Sequence, residues 1–220
     1  NFTWPIGFPE NVWTEAEGLA YLARVESFLK PDLMDRRNMD IYARRASNLG
    51  VRLLEVRQAH LGTDGGLALI KDLTAELARR GVSISLGETA VRVEPEGRVL
   101  STDRREVRYR DLVFAPGRGG FSFLRHMMND LGIPFQDNAV DIGVRVELKE
   151  ERYAIVRDYY DPKFLFPKKT RTFCTNSRCA HVVQEKYVTD DGWVWYSANG
   201  HAYSASRPAN GLANFALLKT

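Results

Sequence analysis

The sequence feature best suited to binding a ligand is a glycine-rich turn, Gly117–Gly120. It follows the apolar segment Leu112–Ala115, whose length and composition predict a short buried strand. Glycine lets a backbone approach a ligand closely because it has no Cβ, and ligands of open α/β sheets bind where the strands end. The pattern therefore indicates a candidate ligand site, although a strand followed by glycines is more commonly only a tight turn.

Two further side chains are candidates for acting on a substrate, and we take Arg145 and His201 as the candidate catalytic residues. Arg145 interrupts the apolar strand predicted for Ile142–Val146. An arginine pointing inward from such a strand needs an anionic partner, and the alternative is an arginine on its solvent face. His201, in the segment Asn199–Tyr203, could donate a proton to a substrate. The alternative, a loop histidine bonded to its own turn, is the commoner situation.

The spacing of Cys174, Cys179 and His181 invites comparison with a metal site. Structural zinc normally requires four ligands, often in paired cysteine units, and the sequence contains no second pair. We therefore predict no metal and two free cysteines on or near a strand. A redox-active Cys174 is an alternative, but nothing in the sequence indicates a lowered thiol pKa.

The spacing of apolar residues predicts the helices that would position these groups. Thr14 and Glu17 form a capping-box pattern at the start of a helix that Pro31 ends. Further helices are predicted for Asp35–Leu49 with Gly50 as its stop, for 67–77 with Thr63 or Asp64 as N-cap and Gly81 as C-terminal stop, and for Ser122–Leu131 followed by Gly132.

Alternating apolar residues predict strands on both sides of a composition change near Gln136. Before it, strands are predicted for Val51–Val56, Val82–Leu86, Thr89–Pro95, Val99–Ser101 and Glu106–Tyr109, the last three as a small meander that returns to Leu112–Ala115. Beyond it, strand-like segments dominate, at Ile142–Val146, Val182–Val183 and Trp193–Tyr196.

Composition excludes several classes of protein. Hydrophobic residues make up 44% and charged residues 27% of the 220 residues, as in ordinary soluble domains. No apolar run approaches the ~20 residues needed to span a membrane, and a net charge of +3 is too small to indicate a nucleic-acid partner. Two cysteines favour a reducing compartment. We therefore expect a cytoplasmic protein without membrane or nucleic-acid partners, and composition fixes no oligomeric state.

Several motifs in fixed order resemble a family of uncharacterised FAD-dependent dehydrogenases, related to flavoproteins with two dinucleotide-binding domains whose second glycine motif reads Ala-Thr-Gly. The resemblance covers roughly residues 55 to 220. The motifs are His60–Asp64, Leu112–Arg118, Asn138–Glu147, Arg171–Cys174, Asn199–Tyr203 and Asn214–Leu218. The Gly-x-Gly-x-x-Gly turn that binds the FAD pyrophosphate in this family does not occur in these residues. Since the chain also starts without methionine, we expect an internal fragment.

The resemblance implies FAD as cofactor, with NAD(P)H a candidate electron donor, and an unknown small-molecule substrate. It places the backbone of Val91 at the adenine edge, and Thr63 and Asp64 at a helix start facing the flavin. Pro116 stands where the wider group has threonine, so a hydroxyl contact is lost there. The turn beside the FAD would consist of Ala115, Pro116, Gly117 and Arg118.

The fold class expected from pattern and resemblance together is α/β. A partial FAD-binding Rossmann-like domain with a small β-meander would be followed by part of a β-rich (α+β) substrate domain. Residues 1–58 would be a helical connecting segment, 59–135 the second part of the FAD domain, and 136–220 the first part of the substrate domain. The substrate would lie between the two portions, near Arg145 and His201.

The expected function is that of a fragment of an FAD-dependent oxidoreductase, inactive in isolation, whose parent transfers hydride or electrons through the flavin. One alternative is a non-enzymatic binding module with 159–171, which interleaves aromatic and cationic residues, as its interaction face. Another is a degenerate flavoprotein that keeps the fold as a scaffold, since a fold alone does not fix a function.

Overall fold

The computed structural model describes residues 2–4, 11–29, 33, 36–188, 192–203 and 207–220. The helices are α1 Glu15–Leu29, α2 Met39–Ser47, α3 Gly62–Arg79 and α4 Phe121–Asp130, with 3-10 helices at Arg118–Gly120 and Glu150–Arg157. The strands are β1 Phe2–Trp4, β2 Arg52–Leu54, β3 Arg57–Ala59, β4 Ala90–Glu94, β5 Val99–Thr102, β6 Glu106–Arg108, β7 Ile142–Lys149, β8 Lys163–Phe166, β9 Thr170–Asn176, β10 Ala180–Val188, β11 Val194–Ala202 and β12 Leu212–Lys219.

The largest sheet has five strands in the order β2-β8-β9-β12-β7, and its neighbouring strands are antiparallel. Only three residues join β8 to β9, whereas a parallel pair needs a crossover of about a dozen or more. The predicted mixture of helices and strands is confirmed. A Rossmann-like parallel sheet is not among the described elements.

The chain divides into two compact units. The first consists of Asn1–Thr74, Ala139–Glu185 and Ser197–Thr220, and the second of Ala75–Asn138 and Lys186–Tyr196. The core of the first unit is centred on Tyr159, which is fully buried. Its hydroxyl donates to the Leu54 carbonyl (3.0 Å) and accepts from the Val56 amide (3.1 Å), so one buried phenol holds the backbone just after β2. The other buried residues of this core are Ala46, Leu53, Ile155, Val156 and Ala213.

The capping box predicted at Thr14 is confirmed. Glu17 Oε2 accepts hydrogen bonds from the Thr14 amide (2.9 Å) and hydroxyl (2.8 Å), and the Glu17 amide donates to Thr14 Oγ1 (3.3 Å). These hydrogen bonds favour the charged carboxylate and lower the pKa of Glu17. Helix α1 then runs to Leu29, and the predicted stop at Pro31 lies outside the described residues.

The other helices form where apolar spacing predicted them, with shifted starts. Helix α2 begins at Met39, later than predicted, and Asp35 lies outside the described residues. Helix α3 begins at Gly62, so the prediction of Thr63 or Asp64 as N-cap is wrong and both residues lie in its first turn. Gly62 begins the helix with a φ of +73°, a conformation that glycine adopts readily because it has no Cβ. The glycines predicted to follow α2, α3 and α4 have φ of +70°, +78° and +64° at Gly50, Gly81 and Gly132.

The predicted meander is confirmed as β4, β5 and β6, a three-stranded antiparallel sheet in the second unit. The strands predicted for Val82–Leu86 and Leu112–Ala115 are wrong, because neither segment forms a strand. Both segments leave apolar side chains exposed, with Leu86 at 83% and Val113 at 86%. An apolar run becomes a strand only when a neighbour supplies the ladder hydrogen bonds, and neither segment pairs with a strand among the described residues.

Beyond Gln136 the predicted β-rich character is confirmed by β7, β10 and β11. Strand β7 pairs along its whole length with β12, with Ile142 opposite Lys219 and Lys149 opposite Leu212. The backbone of β12 lies close to Gly143 of β7. A Cβ at this residue would lie 1.9 Å from the Leu217 carbonyl oxygen, so the pairing requires glycine for steric reasons.

We predict that Gly143→Ala lowers the free energy of unfolding by about 2–3 kcal/mol, because the added methyl group meets backbone that cannot rotate away. Chemical denaturation monitored by tryptophan fluorescence measures the change. The control is Gly66→Ala in α3, where a Cβ meets nothing within 4 Å and a small stabilisation is expected. Equal stability of Gly143→Ala and the unmodified chain would contradict the described approach of β7 to β12.

Candidate functional site

Polar side chains from three neighbouring strands meet on one face of the five-stranded sheet. Arg145 on β7 donates through Nε (3.0 Å) and Nη2 (2.5 Å) to Asn214 Oδ1 on β12. Arg145 Nη2 also donates to the Cys174 carbonyl (2.6 Å). Asn176 on β9 donates through Nδ2 to Asn214 Oδ1 (3.3 Å) and to the Cys174 carbonyl (3.0 Å). The amide oxygen of Asn214 therefore accepts from two different strands, and we call Arg145, Asn176 and Asn214 the polar cluster.

Gly200 of β11 lies directly against the polar cluster. A Cβ at Gly200 would lie 1.7 Å from Arg145 Nη2 and 2.3 Å from both Asn176 Nδ2 and Asn214 Oδ1. Only glycine leaves room for the guanidinium to pass under the backbone of β11. The sequence motif that contains Gly200 and His201 is thereby fixed onto the sheet that carries Arg145.

Arg145 points inward and is half-buried, so the solvent-face alternative does not apply. Its partners are a carbonyl and an amide oxygen, and among the described residues it forms no ion pair. Burial lowers its pKa, but an arginine remains charged in proteins. Asn214 is fully buried, and its Nδ2 has no hydrogen-bond partner among the described residues. The Asp161 carboxylate acts on Arg145 electrostatically and partly offsets the lowering of the Arg145 pKa, without a direct ion pair. The Nη1 group of Arg145 takes no part in the hydrogen bonds above and can donate to an anionic group.

The candidate proton donor His201 contacts two side chains on opposite sides of its ring. Its Nδ1 lies 3.4 Å from Thr63 Oγ1, in the first turn of α3. Its Nε2 lies 3.5 Å from Glu185 Oε1 on β10. Glu185 Oε2 in turn accepts a hydrogen bond from Asn199 Nδ2. His201 is therefore held within a defined set of polar contacts and does not bond only to its own turn.

The segment that leads into α3 also places a second histidine. His60 follows β3 and its ring packs against Tyr160, with 4.8 Å between the ring centroids. Burial lowers the pKa of His60 from 6.5 to about 4, because the interior disfavours the charged imidazolium. His60 is thus a neutral packing residue at neutral pH, whereas Thr63, three residues on, is exposed.

The two cysteines are free thiols, half-buried at Cys174 and buried at Cys179. Burial raises the pKa of Cys174, which keeps its thiol protonated and disfavours a redox role. Cys179 is buried, with Sγ 3.4 Å from His181 Nε2. The part of the chain that the structure describes contains no group of three His, Cys, Asp or Glu side chains arranged to hold a metal ion.

In the second unit, the glycine-rich turn closes tightly on itself before α4. Gly117 has a φ of +65° and a ψ of −162°, a conformation restricted to glycine. A Cβ at Gly120 would lie 2.4 Å from Pro116 Cβ, so this glycine too is required. Ala115 and Pro116 are exposed, and of Arg118 only the backbone, in the 3-10 helix, is described. The turn therefore presents backbone atoms with no side chain in front of Gly117.

Val91 interrupts the ladder between β4 and β5. Ala90 opposes Thr102 and Arg92 opposes Ser101, so the register shifts at Val91, which opposes no residue of β5. A bulge of this kind leaves backbone groups outside the ladder and is common next to binding sites. The resemblance implies a backbone contact from Val91, and the bulge is compatible with one.

The predicted site residues thus fall into two groups. Thr63, Asp64, Arg145 and His201 belong to the first unit, where Thr63 contacts His201, and Arg145 contacts the adjacent Gly200. Val91 and 115–118 belong to the second unit. Sequence reasoning missed Asn176 and Glu185, which lie outside the quoted motifs, and it quoted Asn199 and Asn214 without giving them a role.

Comparisons with protein-family models, with curated proteins and with solved structures found no match. The resemblance stated from the sequence motifs therefore remains an expectation. None of the helices described is long and apolar enough to cross a membrane.

We predict that Gly200→Ala destabilises the protein by about 2–4 kcal/mol, because the methyl group displaces Arg145 and breaks its hydrogen bonds to Asn214. Thermal unfolding measures the effect. Ala198→Ser, an exposed substitution two residues earlier on the same strand, is the matched control and should change stability by less than about 0.5 kcal/mol. If Gly200→Ala behaves like the control, β11 does not lie on the polar cluster.

We predict that the His60 imidazole titrates near pH 4 in the folded protein. The unfolded chain then binds a proton near pH 6.5 that the folded chain does not bind until about pH 4. The contribution of His60 to stability is therefore complete above pH 6.5 and is lost as the pH falls toward 4. NMR titration of the His60 ring protons measures the midpoint, and a value near 6.5 would mean that the ring is solvated.

Proposed function

We propose that this chain is part of an FAD-dependent oxidoreductase that acts on a small molecule through the flavin. The observation that supports the proposal is that residues of four separated motifs meet in the first unit. Thr63 contacts His201, and Gly200 lies against Arg145 and Asn214. Residues that only pack a core are mainly apolar, whereas Thr63, His201 and Arg145 supply a hydroxyl, an imidazole and a guanidinium. Such groups converge where a substrate is bound and protonated.

The residues present fit part of the requirement for FAD. Gly117 exposes backbone without an obstructing Cβ, as close approach of a planar ring requires. The bulge at Val91 leaves its backbone groups outside the ladder, where they could bond an adenine edge. The first turn of α3 offers Thr63 but also the Asp64 carboxylate, which accepts from the Gly65 amide (3.0 Å). A carboxylate there disfavours a phosphate, so Thr63 and Asp64 would face the uncharged flavin portion. When bound, the flavin supplies the hydride or electron chemistry.

The same proposal includes a partial FAD-binding Rossmann-like domain in the second unit. In the second unit an extended segment, the Gly117 turn and α4 follow one another, which is the order of strand, glycine turn and helix in the later half of an FAD-binding Rossmann domain. Phe114 of the extended segment packs edge-on against Phe123 of α4, with 5.7 Å between the centroids. The meander β4–β6 precedes this segment, as the resemblance implies.

Within this proposal, the side chains of the first unit bind and protonate the substrate. Arg145 binds an anionic group through Nη1, because the three hydrogen bonds given above use only Nε and Nη2. His201 holds the proton that a reduced substrate takes up.

The binding-module alternative is disfavoured by the burial of the surface it requires. Tyr159 and Tyr160, the first aromatic residues of 159–171, are 0% and 3% exposed. Asp161 is also buried and bonded to Lys163 Nζ (2.5 Å) and to the Thr175 amide (2.8 Å). The start of the segment is therefore structural and cannot stack on a partner.

The test is the visible absorbance spectrum of the purified product of the complete gene, with the cofactor released by denaturation and identified. We expect FAD, and we expect Gly117→Ala to reduce the bound flavin at least about tenfold, because a Cβ strains the turn at φ +65°. The control is Gly119→Ala, which has neither a positive φ nor an atom within 4 Å of its Cβ. A colourless protein that takes up no added FAD would overturn the proposal and favour a degenerate scaffold.

A further inference from the structure

We propose that Thr63, His201 and Glu185 form a proton relay, in which Glu185 positions the imidazole and the Thr63 hydroxyl delivers the proton to the bound molecule. The relay depends on the proposed function only for the identity of the proton acceptor. Glu185 and Thr63 gain roles that the sequence motifs did not suggest. Glu185 is a positioning residue, because it acts through His201.

The three side chains form an unbroken series of polar contacts within the first unit. Thr63 Oγ1 lies 3.4 Å from His201 Nδ1, and His201 Nε2 lies 3.5 Å from Glu185 Oε1. Both distances are at the long end of the hydrogen-bond range, as is common for catalytic groups before a ligand is bound. His201 and Glu185 side chains are 31% and 34% exposed, so the pair is partly shielded while a molecule can still reach it.

The Glu185 carboxylate is itself oriented. Asn199 donates through Nδ2 to Glu185 Oε2 and to Ser197 Oγ (3.3 Å), which directs the remaining oxygen of Glu185 at His201. A carboxylate can only accept, so the proton of the neutral imidazole resides on Nε2. Nδ1, the nitrogen next to Thr63, is then the one that gains and releases a proton.

The proton transfer balances without any other group. In the loaded state His201 carries protons on both ring nitrogens. The hydroxyl proton of Thr63 passes to an acceptor atom that gains negative charge, and the proton on His201 Nδ1 replaces it on Thr63 Oγ1. His201 ends neutral, with its Nε2 proton facing Glu185, and one proton has moved from imidazolium to the acceptor. The cycle closes when Nδ1 takes a proton from solvent.

The position of Thr63 on α3 favours this role. Thr63 is exposed and lies in the first turn of the 18-residue helix α3. Thr63 therefore combines access to a ligand with contact to the imidazole behind it.

Several other titratable or charged groups lie around the imidazole. They are Asp64 beside Thr63 on α3, Tyr203 with its ring centroid 6.5 Å from that of His201, and Arg145 against Gly200. Glu185 is the carboxylate in direct contact, so its removal is the informative change.

The test is an NMR spectrum of the complete gene product labelled with 15N-histidine, recorded where the imidazole is neutral. The chemical shifts of the two ring nitrogens report the tautomer of His201, and we expect protonation at Nε2. Glu185→Gln should reduce the fraction of this tautomer, because an amide can donate to Nε2 as well as accept from it, and Glu185→Asp should restore most of that fraction. Glu147→Gln, which removes an exposed carboxylate on β7, is the control and should leave the tautomer unchanged.

A purely structural Glu185 would alter stability without altering the tautomer of His201, and that result would overturn the relay. In the flavin-loaded protein, Thr63→Val should slow the protonation-dependent step at least about tenfold, whereas Thr63→Ser should remain active. Equal rates in these two variants would likewise overturn the relay. If no flavin is bound but the Glu185 variants change the tautomer as expected, the proposed function fails and the relay stands. If flavin is bound and the tautomer does not change, the relay alone fails.

Discussion

The burial of the Arg145 guanidinium against Asn214 is the interaction on which the sheet of the first unit most depends. A buried cation is costly unless its donors are satisfied, and here Asn214 and the Cys174 carbonyl satisfy Nε and Nη2. A slip of one residue in β12 would turn Asn214 to the other face and leave Arg145 without this partner. The cluster therefore favours the observed register of β7, β9 and β12.

The same cluster determines which residues lie beside it. Because a Cβ at Gly200 would overlap Arg145, the backbone of β11 can approach only at this glycine. His201 follows directly and is brought to Thr63 and Glu185. Gly200 thus places the Arg145 guanidinium close to the chain segment that carries the His201 imidazole. A group able to bind an anion and a group able to move a proton therefore lie in the same part of the first unit. This combination is what the proposed oxidoreductase function requires of the protein itself.

The histidines and cysteines illustrate how burial separates structural from chemical roles. His60 and Cys174 are reactive residue types, but burial lowers the pKa of the first and raises that of the second, so each is held uncharged. His201 is less enclosed and lies between a hydroxyl and a carboxylate. Residue type alone does not separate these roles, because two of the residues are histidines and only their surroundings differ.

The sequence by itself determined the elements that depend on near neighbours. The Thr14–Glu17 capping box, the glycine stops after three helices and the meander β4–β6 all form as predicted, because their contacts join residues close together in the chain. Only the tertiary structure decided the fate of Leu112–Ala115, which lacks a described strand partner, and the inward orientation of Arg145. Only the tertiary structure identified Glu185 and Asn176 as site residues, because Glu185 contacts Asn199 and Asn176 contacts Asn214, which are distant in sequence. Contacts between residues distant in sequence depend on how the whole chain folds, so local sequence patterns do not predict these features.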